Sequence, residues 1–427
     1  MSRPILAPST RVLLGLLLGA AIGLILAQVN PAAATAVAEA VRPIGRLWLN
    51  ALQMTIVPMV VSLLVIGVTT AANAVTSGRI ARTAMLCFVG LLSFASVLAA
   101  VLAPLLLSLV PRDPALIDTL RSAIAAPQAA ATATSLSDWF SGIIPTNAVA
   151  AAAQGAIVPL VAFTLFFAFA LTRLEAERRS RIVDLFQTVA DAMGVIVGWI
   201  LWVAPVGVFA LILPVCANAG LGILSALGYY ILMLCILYIS MTLLLYLVAV
   251  VAGRESLRRF ATAILPAQVV AASTQSSLAS LPSMVDSASN KLGYPTAVTS
   301  LVLPMAVSLF RITSPMQYMG VAAFIAWSYG IDLSLTQIAL GATLAVMISI
   351  GSVGLPGQAS FMGTNLPVVQ AMGLPVEPLG LLLAVDLIPD IFATVGNVTA
   401  DLTATCLSAR VSRTTVAEAD DPLPSRK

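Results

Sequence analysis

The chain has 427 residues, of which 60% are hydrophobic and 9% charged, with a formal net charge of +3 and a mean hydropathy of +1.03. Soluble domains carry roughly 25% charged residues, so this composition excludes a soluble globular fold and leaves an integral membrane protein with many spans. The small net charge by itself says nothing about nucleic acid, which is not an expected partner, and the absence of histidine leaves only carboxylates, cysteines or water to handle protons.

The N-terminus reads "MSRPILAPSTRVLLGLLLGAAIGLILAQV". A short basic leader before an apolar run can mimic a signal peptide. Many apolar segments follow, however, so residues 12–28 are expected to be a retained first span after a tail over 1–10. Further apolar segments fall near 47–70, 84–110, 155–172, 192–216, 222–252, 296–328 and 376–408. Several exceed the ~20 residues that cross a bilayer upright and must tilt, kink or project beyond the lipid. The small-residue stretch "AIAAPQAAATATSLSDW" (123–139) predicts a mobile loop outside the membrane. The tail over 411–427 is polar and is expected to be disordered. The four cysteines, at irregular spacing in or beside apolar segments, predict free thiols rather than a metal site.

Two segments break the pattern. Residues 259–290 read as an apolar half, the tip "AASTQSSLASLP" (271–282), and a second half; residues 336–373 repeat the plan around "SIGSVGLPGQAS" (349–360). Half-length helices joined by a Ser-, Gly- and Pro-rich tip describe re-entrant hairpins, which need protein or a water-filled cavity around them. Two interrupted segments at corresponding places point to a transporter binding site. A pair of kinked ordinary spans is the alternative.

Arginines cluster at 79 and 82, at 173, 178, 179 and 181, at 254, 258 and 259, and at 410 and 413. The positive-inside rule places these clusters in the cytoplasm. Eight spans with two non-crossing hairpins meet that rule with both termini inside, leaving Arg42 and Arg46 as a mild exception. Two crossing hairpins would meet it as well.

The remaining intramembrane charges are the informative ones. Arg311 sits in the middle of "TSLVLPMAVSLFRITSPMQYMGVAAFIAWS" (299–328), bracketed by Pro304 and Pro315. A charge at that depth costs several kcal/mol unless it is paired or faces a wet cavity. In the last segment, Asp386, Asp390, Asn397 and Asp401 stand at spacings of 4, 7 and 4, which on a helix places them within an arc of roughly 60°. Thr394 borders that stripe. One arginine against three aspartates leaves surplus negative charge, to be neutralised by protons, a bound cation or a cationic substrate group. Arg311 is alternatively a fixed ion-pair staple between helices.

"IIPTN" (143–147), "APVGVFAL" (204–211), the Ser-rich first tip, "GLPG" (354–357) and "GNVTADLTAT" (396–405) together resemble the glutamate/dicarboxylate:cation symporter family. The order and spacing of these motifs match over nearly the whole chain. The resemblance implies an all-α polytopic fold with eight transmembrane helices and two re-entrant hairpins, assembled as a homotrimer in a bacterial-type inner membrane. It implies that spans 1–6 (11–252) form mainly the trimerisation scaffold, with span 3 in the moving part. The transport core would cover 259–409: hairpin 1 at 259–290, span 7 at 296–328, hairpin 2 at 336–373 and span 8 at 376–408. The core would slide across the bilayer as an elevator, with hairpin 2 as the outer gate.

Matched position by position, Asp390 is implied to hold a substrate amino group and Asn397 the main-chain carboxylate. Thr394 would lie beside the substrate. Ser276 and Ser277 of the first tip, Ser314, and Gly354 of the second tip would complete the substrate-facing set. Asp401 matches a sodium ligand, with Asn397 beside it if that site survives. The departures matter as much. The family's sodium-binding "NMDGT" is "FRITS" here (310–314), so Phe310 and Ile312 replace an asparagine and an aspartate that serve sodium. The third span offers only "CFVGLLSF" (87–94) where the family keeps a tyrosine and a Thr-Ser cluster. The site built mainly from the backbone of the second tip, with Ser308, escapes these changes. Ala393 replaces the arginine that recognises an acidic side chain. Arg311 is expected either to act as a tethered cation for Asp401 or Asp386, or to supply the missing substrate-binding charge.

The expected function is therefore elevator transport of a small amino acid or dicarboxylate, without sodium drive and coupled to protons or to exchange. A symporter keeping one sodium site is the alternative, and a substrate-gated anion channel is the alternative of another class. No cofactor is expected beyond a coupling Na⁺ or H⁺, and no enzymatic activity.

Overall fold

The computed structural model describes residues 8–76, 78–110, 144–219, 222–351, 357–376 and 378–419, and these are helical throughout, without a strand. In chain order the helices are α1 (Pro8–Val29), α2 (Pro31–Gln53), α3 (Ile56–Thr76), α4 (Arg79–Ser108), α5 (Ala148–Ala153), α6 (Ile157–Leu171), α7 (Ala176–Trp202), α8 (Ala204–Ala219) and α9 (Gly222–Val251). They continue with α10 (Leu257–Thr274), α11 (Ser277–Asp286) running into a π-helical turn (Ser287–Lys291), α12 (Thr296–Leu309), α13 (Thr313–Tyr329), α14 (Leu335–Gly351), α15 (Gly357–Ala371), α16 (Leu379–Val385) and α17 (Leu387–Ala419). Among the described residues four stretches are long and apolar enough to cross a membrane: Arg79–Ser108, Ala176–Ile200, Ser225–Val251 and Thr296–Tyr329.

Four apolar segments read as single spans are divided, and a proline follows each break within the next turn. The 47–70 segment breaks at Met54–Thr55, ahead of Pro58; the 192–216 segment breaks at Val203, ahead of Pro205. The 296–328 segment breaks at Phe310–Ile312, ahead of Pro315, and the 376–408 segment at Asp386, ahead of Pro389. A proline has no N–H to continue the ladder of the preceding helix, yet suits the first turn of a new one. At the third break the Arg311 carbonyl, which residue 315 would have bonded, accepts instead from the Ser314 N–H at 3.0 Å.

The first tip is also tighter than the polar stretch 271–282 suggests. Helix continues through Thr274 and restarts at Ser277, leaving only Gln275 and Ser276 in the turn. Gln275 adopts the left-handed region at φ 51°, and the Ser276 hydroxyl caps α11 by accepting from the Ala279 N–H at 3.2 Å. The hydroxyls of Thr274 and Ser280 bond back one helical turn, to Val270 and Ser276, so small polar residues are no obstacle to helix here. At the other end of the chain α17 runs to Ala419, into the tail expected to be disordered. Extending an existing helix needs no new nucleus, and "VSRTTVAEA" contains no breaker. The loop over 123–139, the tip glycine Gly354 and residues 420–427 lie outside the described residues.

Two packing groups surround the site. α1, α2 and α8 pack together, with Gly15, Gly19 and Gly23 of α1 set against the α8 backbone. Trp48 of α2 covers Gly207 so closely that a β-carbon there would lie 2.2 Å from the indole, and its Nε1–H donates to the Ile200 carbonyl at 3.1 Å. That contact explains the glycine inside "APVGVFAL". In the second group α17 is enclosed by α4, α9, α10, α12 and α13, while α4 also packs on α13 and α14. A half-buried relay ties three of these helices: Tyr246 donates to Gln268 at 3.0 Å and Gln268 to Thr399 at 2.8 Å.

Candidate functional site

The start of α13, just after the break at 310–312, lies against α17. A helix start leaves N–H groups without intrahelical partners, and at the start of α13 one of them is used across the interface. The Thr313 N–H donates to Asn397 Oδ1 at 3.1 Å. The Thr313 hydroxyl lies 3.0 Å from the same oxygen and 3.3 Å from the Ala393 carbonyl. One turn further along α13, the Gln317 amide nitrogen meets both oxygens of Asp386, at 2.9 and 3.0 Å. Asn365 of α15 lies behind it, its nitrogen 2.8 Å from the Phe361 carbonyl and 3.5 Å from Gln317 Oε1. From the first tip, the Gln275 amide donates to the Leu387 carbonyl at 2.9 Å. The turn at Asp386 is thus held by Gln275 from the α10–α11 turn and by Gln317 of α13, with Asn365 of α15 behind it.

The predicted polar stripe is assembled here. Asp386, Thr394, Asn397 and Asp401 are buried and Asp390 is half-buried. Arg311, half-buried in the α12–α13 break, lies within Coulombic reach of Asp386, Asp390 and Asp401. Among the described residues it forms an ion pair with none of them. Asp401 is fully buried, and neither carboxylate oxygen has a hydrogen-bond partner among the described residues. Among the described residues, three carboxylates therefore share one cation, and only Asp386 receives donors from a neighbouring side chain.

The position of Phe310 carries the sharpest departure. Its ring stacks on Phe88 of α4 with centroids 4.5 Å apart and planes 9° from parallel, and each residue is 1% exposed. The two sequence departures, in the third span and in "FRITS", are one structural feature. Rings offer no oxygen ligand to a hard cation, which requires several.

Not every predicted residue joins the cluster so directly. Ser276 and Ser277 stand at the half-buried first tip. Ser314 is buried in the first turn of α13. Ser308 lies on an exposed side of α12, with its hydroxyl donating to the Pro304 carbonyl at 2.8 Å. The Thr394 hydroxyl is taken up by the Asp390 carbonyl at 2.8 Å. Thr313, Gln317, Asn365 and Gln275 are site residues that motif and spacing do not single out. An amide side chain inside an apolar segment is the signal that could find three of them, because an intramembrane polar group needs a partner. A separate cavity of about 210 Å³ lies beside Trp327, Met319, Pro104 and Asp332, and none of the site residues lines it.

Broken helices apposed around buried, unneutralised carboxylates, in an apolar all-helical chain, describe a membrane transport protein. Comparison with known proteins makes the class specific. Residues 9–411 match the model of the Sodium:dicarboxylate symporter family, and the chain belongs to it. It is 31% identical over 415 residues to the proton/sodium-glutamate symport protein of Bacillus subtilis (strain 168), covering 94% of this chain and 92% of that one. It is 29% identical over 406 residues to the proton/glutamate-aspartate symporter of Escherichia coli (strain K12), with 94% and 92% covered. A C4-dicarboxylate transport protein 2 of Polaromonas naphthalenivorans (strain CJ2) is 28% identical over 351 residues, with 81% and 76% covered. The chain is a secondary transporter of the membrane and not an enzyme.

Proposed function

We propose that this protein moves a small amino acid or a dicarboxylate across a bacterial inner membrane by an elevator motion that needs no sodium gradient. Asp390 takes the substrate amino group. Asn397 and the first tip, with Ser276 and Ser277, take a carboxylate, and Thr394, Ser314 and Gly354 border the substrate. Arg311 supplies the positive charge that the cluster requires, either to Asp386 and Asp401 or to a second substrate carboxylate. The core over 259–409 moves together with α4 against the other spans, in a homotrimer with both termini cytoplasmic, and the two hairpins do not cross the bilayer. Coupling is by protons or exchange.

The observation that carries this reading is Arg311, placed in a helix break among three carboxylates without an ion pair among the described residues. A guanidinium built into the chain needs no replenishment from solution. The Phe88–Phe310 stack supports the same reading by filling the neighbouring space with rings.

One observation favours a second reading, in which a single sodium site survives. Both Asp401 oxygens are buried without a partner among the described residues, and such a carboxylate accepts either a proton or a cation. Uptake into proteoliposomes decides between the readings. Radiolabelled L-aspartate, L-glutamate, neutral amino acids and succinate are supplied under separately imposed sodium and proton gradients. The first reading expects saturable uptake that persists when choline replaces sodium, and a changed ion response in Arg311→Met. Steep sodium dependence in the parent, with Arg311→Met behaving identically, selects the second.

A further inference from the structure

Asn397 is buried, and its side chain has two chemically opposite faces: an oxygen that accepts and a nitrogen that donates. Which face a ligand meets depends on the flip of the amide. The start of α13 decides that flip. The Thr313 backbone N–H sits 3.1 Å from the side chain of Asn397, and a backbone N–H can only donate. The atom facing it must be Oδ1. The Thr313 hydroxyl, 3.0 Å from the same oxygen and 3.3 Å from the Ala393 carbonyl, shares its one proton between these two acceptors. Oδ1 is thus turned toward the start of α13, and Nδ2 is left to donate to a ligand.

We infer that Thr313 is a specificity-determining positioning residue, which locks Asn397 so that only N–H donors face the substrate. This rests on the transport reading above. With Thr313 in place the Asn397 position accepts a carboxylate or carbonyl oxygen and rejects an ammonium group. Asp390, two turns earlier on α17, presents only acceptors. The pair therefore sets the polarity of the bound molecule along α17, with its carboxylate toward Asn397 and its amino group toward Asp390. Thr313 is well placed to hold the lock. It is 2% exposed, and its methyl group packs where Gly396 leaves room, a β-carbon at Gly396 falling 2.9 Å from Thr313 Cγ2.

Three variants test the assignment, in saturable uptake of L-aspartate and succinate with melting temperature recorded in parallel. Thr313→Val keeps shape and backbone N–H but loses the hydroxyl, so KM rises about three- to ten-fold, the range of one lost neutral hydrogen bond, with Vmax within about two-fold of the parent. Thr313→Ser restores the donor and brings KM back. Asn397→Asp keeps an acceptor toward Thr313, while its outward face turns from donor to acceptor and carboxylate affinity falls about ten- to hundred-fold, the range of a lost charge-assisted bond; the added buried carboxylate lowers the melting temperature, so KM is compared at a temperature where both proteins are folded. Parent-like KM in Thr313→Val, or parent-like uptake in Asn397→Asp, overturns the assignment alone. A parent that shows no saturable uptake of any carboxylate overturns the transport reading, and this inference with it.

Discussion

Removing the Gln317 amide tests whether the Asp386 kink is held as the geometry indicates. In Gln317→Leu a side chain of similar volume loses both contacts to the carboxylate, at 2.9 and 3.0 Å. A hydrogen bond to a charged group contributes about 1.5–3 kcal/mol, and Asp386 is 8% exposed, so water replaces little of the loss. Arg311 offers partial compensation through space without touching the carboxylate. A net destabilisation of about 2 kcal/mol is expected, the lower half of that range. The same change made beside Asp386→Asn removes far less, because a neutral amide needs no charge-assisted partner. A double-mutant cycle isolates the difference. The assay is equilibrium denaturation of purified protein in detergent, following helix content for the parent, both single variants and the double variant. A coupling energy below about 0.5 kcal/mol, the usual scatter of additivity for independent sites, would refute the claim that Gln317 and Asp386 act as a unit.

Asp390→Asn is expected to raise KM for amino acids about ten- to hundred-fold, since a charge-assisted bond of about 1.5–3 kcal/mol is lost; succinate uptake, needing no amine site, should change little, and equal losses for both substrates would rule out the amine role. Phe310→Ala should cost about 3–5 kcal/mol of stability as a buried large-to-small change. About 0.5–1.5 kcal/mol of that is expected to be shared with Phe88→Ala as the energy of the stack, and strictly additive single costs would show that the rings merely share a neighbourhood. Gly207→Ala forces Trp48 off the α8 backbone, where a β-carbon would stand 2.2 Å from the ring; a lower melting temperature and a red-shifted indole emission are expected, at a cost of about 1–3 kcal/mol for overpacking. An unchanged emission spectrum in that variant would mean that the helices separate instead.

Much of the molecule is legible along the chain because the bilayer imposes simple rules. Apolar length, the placement of arginines and the cost of intramembrane charge are local quantities, and they suffice to find an integral membrane protein with interrupted segments. The period of the α-helix likewise sets Asp386, Asp390, Asn397 and Asp401 on one face by spacing alone. The helix breaks are less legible: Pro58, Pro205, Pro315 and Pro389 each follow one, yet Pro43, Pro104, Pro214, Pro266, Pro282, Pro304 and Pro367 lie inside helices that continue through them. What a sequence cannot supply is the partner of each side chain, because contacts between distant segments depend on how whole helices pack. Phe88 and Phe310 are separate oddities until α4 meets the α12–α13 break and the two rings stack. Gln317 is one polar residue in an apolar run until α13 lays it against Asp386. Arg311 has three possible partners by charge alone. Only tertiary structure places it among all three while pairing it with none of them, because the break at residues 310–312 fixes where its backbone stands and the neighbouring helices fix how far each carboxylate lies.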